Sequence, residues 1–435
     1  MDSTPATAAA GDITAPKTAL LADGNLTVGT GTGGGGGSVA AKDVNFYDYD
    51  GTIVASYTAQ EFAALSALPA NPSHTGLTAQ GWNWSLTYAK AYVAKYGLLD
   101  IGQMYIPSDG KTHIHIHIPE NTPSNRLTFS VRFTQTVANG VEVDWGDNST
   151  PETYSGTSAA NHSHTYAAPG DYDIALDVKS GKVSFVGQSY SSSIYGSQTG
   201  AQGYLTRSFI TAIQFGANVT SIGTYALYCC YNLACITISN SVTSIDTYAF
   251  NYCFNLKYIV IPIGVSSINN NAFAACYNML GIAIPNSVTS IGSSAFSQCY
   301  HLEHIVVPES TLSIASNMFY QCYCLRYAII PDNLTSIPGS LFGYDYSLQQ
   351  ITIPDDAESI GSQAFYYNYA ITSLTVPNSV TSIESNAFAS CYAVAEYHIK
   401  PIIPPTLANT NAFSGIPADC VIYVPYSADH SILNV

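Results

Sequence analysis

Three histidines stand at every second position in His113-Ile-His115-Ile-His117-Ile. Alternation of this kind puts side chains on one face of a strand, with neighbouring imidazoles about 6.5–7 Å apart. That spacing lets one pair share a metal, so His113, His115 and His117 are the candidate ligands; a solvated strand face is the plainer reading. A second group is Asp48-Tyr-Asp50-Gly51-Thr52-Ile53, which follows an apolar strand. Two carboxylates so placed could serve as nucleophile and acid/base around magnesium in phosphoryl transfer. That chemistry also needs a lysine and a further acidic pair on a large sheet, and the stretch before the next domain is too short to hold one. Asp50-Gly51 then reads as a hairpin turn. The third group is the cysteines. Of ten, Cys230, Cys253, Cys276, Cys299, Cys322 and Cys391 share one repeating position, which Asp345 and Asn368 occupy elsewhere. A position that accepts Asp or Asn is not half of an obligatory disulfide, and a row spread along a rod does not converge on zinc. It reads as a small buried residue closing a turn. No Ser/His/Asp or Cys/His set can be assembled, so neither an enzyme nor a cofactor is expected.

The element that positions the cysteines also organises the chain. Ile222, Ile245, Ile268, Ile291, Ile314, Ile337, Ile360 and Ile383 follow one another at a step of 23 residues without an insertion. The same step carries Leu227, Phe250, Phe273, Phe296, Phe319, Phe342, Phe365 and Phe388, and again Leu233, Leu256, Met279, Leu302, Leu325, Leu348, Ile371 and Val394. A constant period of this size marks a solenoid, whose turns are too small to bury an apolar face alone and must stack. Each buried side chain of this kind contributes about 1.5–3 kcal/mol. Ile236-Thr-Ile238 and its copies alternate like a half-buried strand, and Pro262, Pro285, Pro308, Pro331, Pro354 and Pro377 end it.

Ser287 to Cys299, Ser-Val-Thr-Ser-Ile-Gly-x-x-Ala-Phe-x-x-Cys, resembles the BspA-type leucine-rich repeats of bacterial surface and phage proteins. The resemblance implies a curved solenoid with a parallel sheet along one face, used for binding. Val143-Asp-Trp-Gly-Asp-Asn-Ser and the later His164-Thr-Tyr-Ala-Ala-Pro-Gly-Asp-Tyr resemble a PKD-type β-sandwich, a spacer or adhesion module. Ala8 to Leu20 and Leu26-Thr-Val-Gly-Thr-Gly resemble a segment of phage tail and virion-associated proteins.

The expected chain is therefore multidomain: an attachment segment and Gly-rich linker over 1–43, a small α/β module over 44–123, a PKD-like β-sandwich over 124–182, a linker and N-terminal cap over 183–218, leucine-rich repeats over 219–399 and a C-terminal cap over 400–435. Thr58 with Glu61 three residues on marks a helix start. The apolar share of 47% suits folded cores, and a net charge of −16 repels nucleic acid and anionic membranes. No run is long enough for a membrane span, and Met1 to Ala22 lacks the basic start and apolar core of an export signal. From the resemblances, the chain reads as a phage virion protein, a tail fibre, spike or head fibre in contact with other virion proteins through its N-terminus. A bacterial cell-surface adhesin is the alternative. A homotrimer is compatible with the fibre reading, although no heptads or collagen-like triplets impose one.

An aromatic residue follows the Cys position in every turn: Tyr231, Phe254, Tyr277, Tyr300, Tyr323, Tyr346, Tyr369 and Tyr392. At the spacing of strands, about 4.8 Å per turn, they form a stripe. Stacked rings that stiffen the rod are one reading; a platform for a bacterial surface polysaccharide is the other. The competing surface is the outward strand face, where Tyr258, His304, Tyr327, Gln350 and Glu396 vary from turn to turn, as a specific surface-protein receptor would require.

Overall fold

The computed structural model describes residues 17–20, 26–29, 43–187, 207–403 and 405–425. The chain divides into two units, Met1–Gly37 and Ser38–Val435. In the first, Lys17–Leu20 pairs antiparallel with Leu26–Gly29. The rest of the expected attachment segment, the Gly33–Gly37 run, residues 188–206 and residues 426–435 lie outside the described residues.

In the second unit the period becomes stacked turns. Ser244–Ile245, Ser267–Ile268, Ser290–Ile291 and Ser313–Ile314 pair in parallel, each serine opposite serine and isoleucine opposite isoleucine. This is what an insertion-free 23-residue step dictates. The phenylalanines stack face to face, from Phe250–Phe273 at 5.0 Å to Phe365–Phe388 at 5.4 Å between centroids. Phe413 extends the stack, 5.2 Å from Phe388. The last turn therefore keeps its core contact although the sequence step has broken.

Each turn also bends through residues in the left-handed region, such as Tyr248 (φ 59°) and Tyr252 (φ 63°), or Ser294 (φ 56°) and Gln298 (φ 62°). Such a conformation costs a non-glycine residue about 1–2 kcal/mol. Stacking offsets it, because the bend sets amides onto the next turn: Tyr248 N donates to Asn270 O at 3.1 Å, Phe250 N to Ala272 O at 2.8 Å and Tyr252 N to Ala274 O at 3.0 Å.

Before the solenoid lie two sheets. One orders Glu152–Tyr154, Val141–Asp144, Gly170–Val178, Thr112–Ile118, Ile210–Gln214 and Cys235–Thr237; the other runs from Ala160–Thr165 through Thr128–Gln135 and Val183–Phe185 into Val219–Ile222. Ile210–Gln214 is antiparallel to Thr112–Ile118 but parallel to Cys235–Thr237. Val183–Phe185 likewise joins Thr128–Gln135 to Val219–Ile222. Both sheets thus continue into the two strand rows of the solenoid, and one core runs from Ile114 through Trp145 to Phe388. The histidine strand belongs to these sheets and not to the α/β module, and the stretch read as linker and cap, 183–218, contributes a strand to each.

The α/β module is a four-stranded mixed sheet in the order Ile53–Tyr57, Val44–Tyr47, Leu99–Pro107, Leu77–Trp82, with helices Ala59–Ala64 and Leu86–Tyr96. Thr58 and Glu61 form the expected capping box. Asp48 to Thr52 closes a hairpin, with Asp48 N donating to Thr52 O at 2.8 Å.

Candidate binding surfaces

The histidines of Thr112–Ile118 are placed by its pairing with Gly170–Val178, which sets Asp171 opposite His117 and Asp173 opposite His115. The imidazoles turn to those carboxylates. His113 Nδ1 lies 2.9 Å from Asp173 Oδ2 and its Nε2 3.0 Å from Asp109 Oδ2; His117 Nδ1 lies 2.7 Å from Asp171 Oδ1; His115 Nδ1 lies 3.2 Å from Asp173 Oδ1. The rings of His113 and His115 are 6.3 Å apart, as strand spacing requires. Burial lowers the pKa of His115, whereas at His113 the pull of Asp173 and Asp109 outweighs burial and raises it. Among the described residues no group of three His, Cys, Asp or Glu side chains is arranged to hold a metal. Each imidazole of the strand thus faces a carboxylate.

In the aromatic stripe, Tyr231–Phe254, Phe254–Tyr277, Tyr277–Tyr300, Tyr300–Tyr323, Tyr323–Tyr346 and Tyr346–Tyr369 stack at 4.6–4.9 Å between centroids. From Phe254 to Tyr369 their planes lie within 8° of parallel. Rings this close cover each other's faces, and each pair adds about 0.5–1.5 kcal/mol beyond burial. The stripe therefore offers ring edges and hydroxyls to a ligand rather than faces. Tyr392, tilted by 32° from Tyr369 and 54% exposed, ends it.

The outward strand face is divided. Over its first turns the α/β module lies on it. Tyr47 stacks on Tyr258 at 4.5 Å. Asn83 Nδ2 donates to the carbonyls of Ile261 and Ala283 at 3.2 and 3.1 Å, Trp84 Nε1 to Ile284 O at 3.0 Å, and Tyr92 OH to Val307 O at 3.0 Å. The donors meet carbonyls at the ends of successive strands. Gly102 is needed for this approach: a Cβ there would stand 2.5 Å from Val260 and 3.0 Å from Ala283. His304 Nε2 meets Asp100 Oδ2 at 2.5 Å, and Lys95 reaches Glu309 at 2.9 Å and Asp332 at 3.0 Å. Tyr258, Val260, Ala283 and Val306 are buried as a result. Tyr258 and His304, expected on an open receptor face, are covered by the chain itself. Beyond the module, Tyr327, Gln350, Thr352, Ser373 and Thr375 are exposed.

Residues 204–300 and 266–395 match the family profile of the BspA type leucine rich repeat region, in six copies. Over this stretch the repeats are similar to the BspA type. No curated protein matches the sequence. Among solved structures, a leucine-rich repeat protein from Bacteroides ovatus is 22% identical with a TM-score of 0.40, over 51% of this chain and 62% of that one, less than two thirds of its length. The T. pallidum leucine rich repeat protein is 24% identical with a TM-score of 0.33, over 42% of this chain and 83% of that one. A leucine rich cell surface protein from Faecalibacterium prausnitzii is 24% identical with a TM-score of 0.30, over 50% and 72%.

Inside the repeats the cysteines form the buried row that their spacing predicts. All ten are free thiols, and Cys253, Cys276, Cys299, Cys322 and Cys391 each donate Sγ to the carbonyl 26 residues earlier, at 3.2–3.3 Å. Asn368 Nδ2 does the same to Phe342 O at 2.7 Å. Asp345 is the exception. Its Oδ1 accepts from Cys322 N at 2.7 Å, while its buried Oδ2 has no partner. Burial pushes this carboxyl far above the usual carboxylate range. A raised folded-state pKa means stability that is complete below the ordinary carboxylate value and lost as pH rises through the folded one. Asp345→Asn should therefore stabilise the protein at neutral pH by about 1–3 kcal/mol. Its melting-temperature advantage over the parent should widen as pH rises; an advantage that shrinks with pH would refute the assignment.

Proposed function

We propose that the chain is a cell-surface adhesion protein whose BspA-type solenoid binds a bacterial surface polysaccharide or a surface protein, without catalysing a reaction and without a cofactor. The observation that carries this reading is the repeat match over 204–395, joined to an open strand face of amides, hydroxyls and phenols, with Glu396 and His398 paired at 3.2 Å on the strand Glu396–Ile399. The sheets over 112–185 fit a PKD-like spacer that also closes the N-terminal end of the solenoid core. The virion reading draws on the N-terminal segment and on the phage proteins that the repeats also resemble, and no comparison supports it. A bacterial cell surface is the location we adopt.

Adhesion is tested by saturable attachment of the labelled full chain to bacterial and epithelial cells. In this reading the stripe contributes hydroxyls, most at its exposed end. Changing Tyr346, Tyr369 and Tyr392 together to Phe, a residue the stack already holds at Phe254, should weaken attachment several-fold with no change in melting temperature. Full attachment by this variant would make the stripe purely structural. No saturable attachment by the parent protein would remove the adhesion reading.

A further inference from the structure

The exposed part of the strand face is not flat. Beside the α/β module a groove of about 510 Å³ is lined by Lys95, Tyr327, Asp332, Gln350 and Thr352 and also by apolar residues, Leu98 and Ile329 among them. A second, of about 640 Å³, is lined among others by Gln349, Gln350, Thr352, Ser373, Thr375 and Lys400. They share Tyr327, Gln350, Ile351 and Thr352, so they form one cleft with the module as its end wall. Volumes in this range suit a small ligand more than the broad surface that a folded protein partner requires.

We propose that this cleft is a binding site for a short neutral oligosaccharide. The inference rests on the adhesion reading and names its ligand class. Three observations carry it. The outward residues change character where the cover ends: Val260, Ala283 and Val306 lie beneath the module, whereas Thr352, Ser373 and Thr375 lie in the open. Gln350, Thr352, Ser373 and Thr375 both donate and accept, as sugar hydroxyls do, and they stand beside the apolar Ile351. Charge is balanced among the lining residues, Lys95 against Asp332 at 3.0 Å in the first groove and Lys400 against Asp355 in the second. A charged ligand would meet no excess of the opposite sign.

The third observation is the backbone. Tyr327–Ile329 pairs with His304–Val306, and Ser373–Val376 with Glu396–Ile399, but Ile351–Ile353 between them forms no ladder with either side. Tyr327, 45% exposed, stands at the junction of the grooves and presents an aromatic ring outside the stacked stripe. An aromatic beside amide and hydroxyl groups is what a pyranose ring, apolar on its C–H face and polar at its rim, requires.

The test uses the full chain on an array of short neutral hexose oligosaccharides. Thr352→Arg with Ser373→Arg fills the cleft from two exposed positions. Thr335→Arg adds a like side chain at an exposed position in the other strand row. Melting curves first establish that each variant is folded. The parent and Thr335→Arg should bind the same oligosaccharides, and the filled variant at least ten-fold less. Equal binding by the filled variant overturns the cleft. An array that stays silent while cells are still bound also overturns it and leaves adhesion standing; loss of cell attachment by the parent protein refutes the adhesion reading itself.

Discussion

Replacing Ile291 with aspartate should abolish the cooperative melting of the solenoid, at a cost upwards of about 4 kcal/mol. Ile291 is 2% exposed, in register between Ile268 and Ile314. A carboxylate there loses its hydration and finds no donor among isoleucines. Within the solenoid each turn stacks only on its neighbours, so damage in a central turn breaks the core row on both sides of it. Leu280, 47% exposed, supplies the comparison: Leu280→Asp should stay within about 0.5 kcal/mol. Urea melts followed by far-UV circular dichroism distinguish the two, and equal losses would contradict the stacked core.

His304→Ala should cost about 3–5 kcal/mol, since it leaves the Asp100 carboxylate, its side chain 3% exposed, between the module and the strand face without its partner. The pair also sets a pH dependence. Asp100 raises the pKa of His304 against the opposing effect of burial, and Glu303 adds to the rise. The pair's contribution is complete below the ordinary histidine value near 6.5 and is lost as pH rises through the raised one. Melting temperatures should fall with pH in that window for the parent and less steeply for His304→Ala. Parallel pH profiles would show that the pair does not couple module to solenoid.

The inward rows were legible because a fixed step admits one register. Ile, Phe, Leu and Cys positions all fall where the period places them, and the one carboxyl among the thiols was visible as a departure. The left-handed bends were not read, although Asn271, Asn317 and Asn386 (φ 55–60°) mark one of them with the residue that tolerates it best. The histidine alternation announced a strand and its spacing but not its neighbours, because a period of two reads alike in any sheet. Asp171 and Asp173, which decide what the imidazoles do, come from a distant strand. The cover over the strand face was written in the change from Val260 and Ala283 to Thr352 and Thr375. It went unread because a strand buried by another domain has the composition of one buried in a core.

The seat of the α/β module on the first turns defines which surface remains for a ligand, and a zero-length carbodiimide cross-link tests it most directly. Lys95 lies 2.9 Å from Glu309 and 3.0 Å from Asp332, both far from it in sequence. Monomeric full-length protein, treated and digested, should yield a peptide joining Lys95 to Glu309 or Asp332. If Lys95 is instead recovered free of both while other amines are cross-linked, the module does not sit on the strand face.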